Sequence, residues 1–218
     1  VLVPPVGYLD RLREICSRHG ILLIFDEVIT GFGRTGKAFG ADTFGVSPDI
    51  MCVAKGLTNG TVPCGAVFTT DDIYQQTINY ANEKKMPTIE FFHGYTYSGH
   101  PLAMAAAIAS IDAFLVDGIF KNGARHALYW EDSIHSLRGI RHVNDIRNIG
   151  IMGAIDLEPI PGQPGARAYK AFVTALKKGL LIRVTGDTIA LSPPLILDKS
   201  HIDELFGILA DVLTNIDE

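Results

Sequence analysis

Two side chains of opposite charge follow two apolar segments of the sequence, and they could do chemistry together. Asp26 comes directly after the apolar residues 21–25, and Lys55 comes directly after the apolar residues 50–54. If both segments are neighbouring parallel strands, the two side chains lie on the same rim of a sheet, where open α/β folds place their ligands. A lysine that leaves an apolar strand is partly desolvated, which favours its neutral, nucleophilic amine.

Each residue alone also has an ordinary structural explanation. Asp26 could cap a helix or lie in a solvated turn, and Lys55 could be a surface lysine whose stem packs on apolar atoms. The pair is more informative, because a lysine and a carboxylate on one rim match the needs of pyridoxal 5'-phosphate (PLP). The lysine would hold the cofactor as a Schiff base. The carboxylate would keep the pyridine nitrogen protonated, so that the ring accepts electrons.

A glycine-rich stretch between these two residues matches nucleotide-binding motifs only in part. Residues 31–36 fit the pattern GxGxxG, and with Lys37 they nearly form a P-loop. Ala38, however, stands where a P-loop needs Ser or Thr to hold magnesium. The dinucleotide motif must also open a long helix, and the glycines and proline of residues 38–48 prevent one. We therefore interpret the stretch as a turn-rich loop.

The elements that must position Asp26 and Lys55 are predicted from the periodicity of apolar residues. Residues 8–19 have helical spacing and Gly20 as a stop, and residues 21–25 read as a strand of a parallel sheet covered on both faces. Further strands are predicted at 50–54 and 64–70, a helix from Asp71 to about Asn82, and an alanine-rich helix that starts at Pro101. This half of the chain is typical of an α/β domain.

The second half has a different pattern. It predicts a helix to about Leu137, one strand over 148–158, a helix over 164–179, two strands around the turn Thr185-Gly186-Asp187, and a last helix capped by Ser200. This is typical of a smaller α+β unit. We therefore predict two domains, residues 1–114 and residues 115–218.

Composition narrows the class of protein. The 218 residues are 47% hydrophobic with a formal net charge of -5. This mildly acidic charge does not indicate binding to DNA or RNA, which favours basic proteins. Three cysteines at irregular spacing argue against a disulfide framework and for the cytoplasm. No apolar run approaches the ~18 residues of a membrane helix. The seven histidines form no compact ligand set, so we expect no metal site.

The run from Leu22 to Gly60, LLIFDEVITGFGRTGKAFGADTFGVSPDIMCVAKGLTNG, resembles the PLP-lysine signature of class III aminotransferases. An Asp-Glu pair, a Gly-Phe-Gly-Arg-Thr-Gly stretch, a Pro-Asp and a Lys-Gly occur in the family's order. The resemblance implies fold type I: the second half of a mostly parallel-sheet PLP-binding large domain, followed by a smaller α+β C-terminal domain. It also implies that the chain is the C-terminal half of an enzyme, which fits a start at Val1 without an initiating Met.

The resemblance assigns roles to individual residues. Lys55 would bind PLP covalently and act as the catalytic base, and Asp26 would bond the pyridine nitrogen. Val28 would pack against a face of the ring. Thr96 would reach the cofactor phosphate of the neighbouring subunit, which its hydroxyl and the backbone N–H groups before a helix start could bind. Without the resemblance, a local turn bond is the simpler explanation for Thr96.

The segment 180–195, LLIRVTGDTIALSPPL, resembles the ω-amino acid–pyruvate and amine transaminases. Arg183 falls where these enzymes carry an arginine that binds a substrate carboxylate, although it could also be a solvent-facing strand residue. The resemblance implies a transaminase that moves an amino group from an ω-amino acid or amine to a keto acid such as pyruvate. Other class III members, acting on 4-aminobutyrate, ornithine or diaminopelargonate, and the aminomutases, remain open.

A competing interpretation is a non-catalytic or partner-dependent part of a PLP-fold enzyme. In the family, the N-terminal half supplies a Gly-Ser phosphate loop and an aromatic side chain that stacks on the ring, and the 218 residues contain neither. The family also builds its sites across a dimer interface, so we expect a homodimer or a higher homo-oligomer. Neither nucleic acid nor a membrane is expected as a partner.

Overall fold

The computed structural model describes residues 1–85 and 93–217, and these form two compact units. The N-terminal unit comprises Pro5–Phe32 and Phe39–Asp117. The C-terminal unit comprises Val1–Pro4, Gly33–Ala38 and Gly118–Glu218. The division into domains 1–114 and 115–218 stays a prediction from the sequence.

The N-terminal unit contains four α-helices and three strands among its described residues. In chain order these are α1 (Tyr8–His19), β1 (Ile24–Asp26), α2 (Gly40–Phe44), β2 (Ile50–Val53), β3 (Ala66–Thr69), α3 (Asp71–Glu83) and α4 (Pro101–Val116), with a 3₁₀ turn at Lys55–Leu57. The predicted bounds of α1, α3 and the start of α4 agree with these elements. Gly20 ends α1 in the left-handed conformation, with φ 61°, as predicted for a glycine stop.

The sheet of the N-terminal unit is mixed. Strand β1 pairs in parallel with β2, so that Asp26 faces Cys52, whereas β2 pairs antiparallel with β3. One side of this sheet is covered, because Cys16 of α1 packs with Leu23 and Val46, and Phe25 lies against that cluster. The sequence predicted a sheet covered on both faces. Ile24 of β1, however, is 56% exposed, so the described residues do not cover the second face at this position.

The C-terminal unit places three helices against an antiparallel sheet. Its elements are α5 (Ile119–His135), β4 (Val143–Ile149), β5 (Met152–Leu157), α6 (Ala166–Lys177), β6 (Arg183–Thr185), β7 (Thr188–Leu191) and α7 (Lys199–Thr214), with strand order β4-β5-β7-β6. Helix α7 contacts α5 and α6, while α5 contacts β4 and α6 contacts β6. Fully buried apolar side chains of this unit include Trp130, Ile155 and Leu209. Burial of these side chains supplies the main stabilising free energy of the unit.

The predicted single strand over 148–158 is wrong, because the segment folds as the hairpin of β4 and β5. Gly150 makes the turn with φ 54°, a conformation that suits glycine. A Cβ atom at Gly150 would lie 2.3 Å from the carbonyl carbon of Thr35, so the turn also packs against backbone. The apolar run continues through the turn, and periodicity alone therefore does not reveal it.

The predicted cap of the last helix is also wrong by two residues. Asp198 is the N-cap of α7, and its Oδ1 accepts from the backbone N–H of His201 at 3.1 Å. Ser200 instead donates its hydroxyl to Asp198 Oδ1 at 2.7 Å. The Ser200 hydroxyl and the His201 N–H lower the pKa of Asp198 to about 2. An ionised carboxylate also interacts well with the positive end of the helix dipole.

Within the described ranges, no single helix is long and apolar enough to cross a membrane; only the bent pair α4 and α5, taken together, meets the length and composition test.

Candidate functional site

Asp26 is the last residue of β1, and its side chain is exposed. Its Oδ1 accepts a hydrogen bond from the backbone N–H of Val28 at 3.0 Å. Among the described residues, Oδ2 has no hydrogen-bond partner. The carboxylate is therefore held by its own turn while one oxygen stays available to a ligand.

Lys55 lies two residues after the end of the neighbouring strand, β2. Asp26 pairs with Cys52 in the parallel register, and Lys55 follows Cys52 by three residues along the chain, after β2 has ended. Both residues thus leave the sheet at the carboxyl ends of neighbouring strands, where α/β folds bind ligands. The Lys55 side chain is exposed, so the expected partial desolvation is absent among the described residues. Its backbone has φ 45°, which is uncommon for a residue with a Cβ atom.

The main chain around Lys55 is closely packed and hydrogen-bonded. Gly56 packs so closely on Phe32 that a Cβ atom at Gly56 would lie 2.6 Å from the Phe32 Cβ. The next residue, Leu57, is buried. The Lys55 carbonyl oxygen accepts from the N–H groups of Thr58 and Gly60, both at 3.3 Å. The backbone conformation at Lys55 is therefore set by its neighbours.

Glu27 is a residue of this region to which sequence reasoning gave no role. It is 1% exposed, and its oxygens accept hydrogen bonds from the N–H of Gly40 at 2.9 Å and of Ala41 at 2.7 Å, and from the Thr30 hydroxyl. These N–H groups open α2, and an anion is favoured at a helix start. The signal in the sequence was the Asp-Glu pair itself, because successive residues at the end of a strand face opposite sides.

Val28 and Thr96 also belong to the N-terminal unit. Val28 is half-buried, two residues beyond Asp26, and it donates the hydrogen bond that orients the Asp26 carboxylate. Thr96 lies exposed in the turn that precedes α4. His100 caps α4, since its Nδ1 accepts from the N–H of Leu102 at 3.2 Å. The cofactor contacts expected of Val28 and Thr96 stay predictions.

Arg183 belongs to the C-terminal unit, where it is the first residue of β6 and is exposed. Its Cα partner in the sheet is Ala190 of β7. Among the residues that the structure describes, the guanidinium has no hydrogen bond or ion pair. A free guanidinium on a strand could bind a carboxylate, and this role stays a prediction.

The glycine-rich loop has a structural role in the described structure. Ile151 N donates to the Arg34 carbonyl oxygen at 3.1 Å, and the Arg34 guanidinium donates to the Pro193 carbonyl oxygen. Burial lowers the pKa of Arg34 from its ordinary value. Residues 33–38 are thereby tied to the β4–β5 turn within the C-terminal unit. The expected turn-rich loop is found, and no long helix follows it.

The residues of this rim fit PLP. The cofactor offers an aldehyde carbon to a primary amine and a ring nitrogen to a carboxylate. The chain presents an exposed lysine and an exposed carboxylate oxygen after two paired parallel strands. An apolar cavity of about 350 Å³ lies elsewhere, in the C-terminal unit, lined by residues such as Trp130, Leu197 and Ile202. None of the five predicted site residues lines that cavity.

Comparison with known proteins identifies the family. The family model "Aminotransferase class-III" matches residues 1–213, and the chain belongs to this family. The chain is 55% identical over 217 residues to an omega-aminotransferase of Caulobacter vibrioides, covering 100% of this chain and 48% of that protein. It is 45% identical over 216 residues to an omega-amino acid–pyruvate aminotransferase of Pseudomonas putida, covering 99% and 48%.

Solved structures of the same class have the same fold. A transaminase structure with L-Ala is similar over 100% of this chain and 52% of that chain, with a TM-score of 0.92 and 29% identity. A thermostable (S)-enantioselective omega-transaminase of Thermomicrobium roseum has a TM-score of 0.88 and 34% identity, over 100% and 48%. The chain thus spans about half the length of the relatives that it matches.

Proposed function

We propose that this chain is the lysine-bearing part of a PLP-dependent transaminase. The enzyme would move an amino group from an ω-amino acid or amine to a keto acid such as pyruvate. The observation that carries the proposal is the parallel register of β1 and β2, which pairs Asp26 with Cys52. Asp26 and the segment from Cys52 to Lys55 therefore lie at the same edge of the sheet. The names of the two relatives support the choice of donor and acceptor classes.

Bound PLP would supply an electron-accepting ring next to the substrate's amine carbon. The Lys55 amine would hold the cofactor at rest. Once released by the incoming amine, it would take the proton from the substrate's amine carbon and deliver it to C4′ of the cofactor. Asp26 Oδ2 would accept a hydrogen bond from the protonated ring nitrogen and keep the proton there. The Val28 N–H would hold that carboxylate in orientation through Oδ1.

Three further residues have proposed binding roles. Val28 would contact one face of the ring through its half-buried side chain. Thr96 would bind the cofactor phosphate of a neighbouring subunit, and Arg183 would bind the carboxylate of the keto acid through two parallel hydrogen bonds. A homodimer or higher homo-oligomer is proposed on the same basis, as is a cytoplasmic location.

A partner-dependent role is the second candidate. The chain matches about half of its relatives, and apolar side chains such as Val67 and Ile108 are exposed in the N-terminal unit. Both facts favour a site that is completed by sequence outside these 218 residues. The test therefore needs a chimera that joins this chain to the part of the Caulobacter vibrioides relative that it does not match. We refer to this protein as the chimera.

The experiment is reductive trapping of PLP. The chimera is mixed with PLP and treated with borohydride, and the modified peptide is identified by mass spectrometry. We expect one adduct, on Lys55, and transfer of an amino group from β-alanine or an amine to pyruvate. Lys55→Ala is expected to abolish both, whereas Lys121→Ala, at an exposed lysine of α5, leaves both unchanged. Full turnover in Lys55→Ala would overturn the proposal.

A further inference from the structure

A buried hydroxyl holds the main chain next to Lys55. Ser110 lies on α4 and is 6% exposed. Its Oγ donates to the Gly56 carbonyl oxygen at 3.0 Å and accepts from Asn59 Nδ2 at 3.0 Å. One side chain therefore bridges the start and the end of the turn that follows Lys55.

This turn contains a backbone conformation that requires outside support. Both Lys55, with φ 45°, and Asn59, with φ 50°, are in the left-handed region, which asparagine tolerates but lysine rarely adopts. At Lys55 the conformation therefore persists only where the surrounding structure imposes it. Ser110 contacts the turn from α4, and Phe32 packs on Gly56. These contacts fix the direction in which the main chain leaves Lys55.

The hydrogen bonds of Ser110 differ from those of an ordinary helical serine. Such a serine commonly donates to the carbonyl oxygen four residues earlier in its own helix. Ser133 of α5 does this, with its hydroxyl 2.6 Å from the Tyr129 carbonyl oxygen. Ser110 uses both its donor and an acceptor site on the Lys55 turn instead. A buried hydroxyl with both functions engaged is confined to one orientation.

We infer that Ser110, together with Asn59, is a positioning residue for the amine of Lys55. The inference rests on the proposed role of Lys55 as the cofactor lysine. Ser110 would act through the Gly56 carbonyl and Asn59, without touching the cofactor. It would keep the amine where it can reach both the cofactor and the substrate carbon, since a displacement of about 1 Å at a reacting group costs up to about 100-fold in rate.

The test uses the chimera loaded with PLP, with kinetics and stability measured on the same samples. Ser110→Ala is expected to lower kcat by about 10- to 100-fold and to slow borohydride trapping at Lys55, with KM for pyruvate unchanged. Ser110→Thr, which retains the hydroxyl, is expected to keep kcat close to that of the parent chimera. Ser133→Ala, which removes a hydroxyl that bonds its own helix, is expected to change neither rate.

The outcomes separate this inference from the proposed function. If Ser110→Ala lowers only Tm, with kcat and the trapping rate within about twofold of the parent, the positioning role is overturned while the role of Lys55 stands. If Lys55→Ala keeps its turnover, the proposed function fails first. If Ser110→Ala does not fold, Asn59→Gly decides, since glycine readily adopts the left-handed backbone and lacks the amide that donates to Ser110. An unchanged kcat in Asn59→Gly would then reject the inference.

Discussion

Two adjacent carboxylates, Asp26 and Glu27, have opposite environments in the described structure. Asp26 is exposed with one free oxygen, whereas Glu27 is 1% exposed and has three donors around it. Successive residues at a strand end face opposite sides, so one carboxylate faces the rim and the other faces the start of α2. The first is the candidate for chemistry, and the second is structural.

The structural role of Glu27 predicts a clear loss of stability. Glu27→Gln replaces an oxygen that accepts from Ala41 or Gly40 by an amide NH₂ group, which cannot accept. Because a hydrogen bond to a charged group contributes about 1.5–3 kcal/mol, we expect the free energy of unfolding to fall by about that amount. Urea denaturation followed by circular dichroism measures it.

The matched control is Glu14→Gln. Glu14 forms an exposed ion pair with Arg11 of α1 at 2.7 Å, and such pairs contribute less than about 1 kcal/mol. A smaller loss for Glu27→Gln than for Glu14→Gln would contradict the assignment of Glu27 as the cap of α2.

At the scale of elements, a cluster around His142 joins the ends of four elements of the C-terminal unit, β4, β5, α6 and α7. His142 lies before β4, and its two ring nitrogens are 2.6 Å from Glu158 Oε2 and 2.9 Å from Asp217 Oδ2. Both ring nitrogens therefore face carboxylate oxygens. Arg167 and Arg141 also contact Asp217, at 2.9 and 3.0 Å. The cluster ties residues after α7 to the β4–β5 sheet.

This cluster predicts a dependence of stability on acid pH. His142 is the main cause that lowers the pKa of Glu158 below 4.5 and that of Asp217 below 3.8. A folded-state pKa below the unfolded value adds stability above the unfolded pKa, and this stability is lost as the pH falls through the folded pKa. His142→Asn removes the ring, and Asn tolerates the φ of 68° at this position.

We therefore expect the difference in Tm between the parent chain and His142→Asn to be larger at about pH 5.5, above the unfolded pKa of both carboxyls, than at about pH 3. Differential scanning calorimetry at several pH values measures it. His19→Asn, at the exposed end of α1, is the control and is expected to give no such trend. A difference that stays constant between the two pH values would reject the explanation.

At the scale of the whole molecule, the N-terminal unit exposes more apolar surface than a self-sufficient unit would. Helix α4 is apolar on all sides, which is typical of a buried helix, yet Leu102, Ile108 and Leu115 are at least 60% exposed. On the sheet, Ile24 and Val67 are 56% and 63% exposed. Since the chain matches about half of its relatives, we expect the unmatched half to cover these residues.

This expectation predicts that one substitution has different effects in two proteins. Ile24→Lys is expected to change the unfolding free energy of the 218-residue chain by less than about 0.5 kcal/mol, because the side chain is already exposed. In the chimera it would place an unpaired charge in a covered interface, which costs about 3 kcal/mol or more. Chemical denaturation of both proteins measures the two values. Equal effects in the two proteins would show that the sheet face is not covered.

Sequence patterns predicted the local elements well where the cause is local. Gly20 ends α1, Pro101 opens α4, and a tight turn joins β6 and β7, because backbone conformations and helix periodicity depend on near neighbours. The hairpin of β4 and β5 and the cap at Asp198 were missed. An apolar run hides a turn, and Ser200 and Asp198 are both good caps by type.

The candidate site divides in the same way. The sequence by itself determined which residues have the chemistry for PLP, Lys55 and Asp26, since residue type and the order of the family signature carry that information. Only the tertiary structure decided what surrounds them: the register that pairs Asp26 with Cys52, the burial of Glu27, and the contact of Ser110 with the Lys55 turn. Ser110 lies more than fifty positions from that turn along the chain. Because only folding brings the two together, no local sequence pattern predicts their contact.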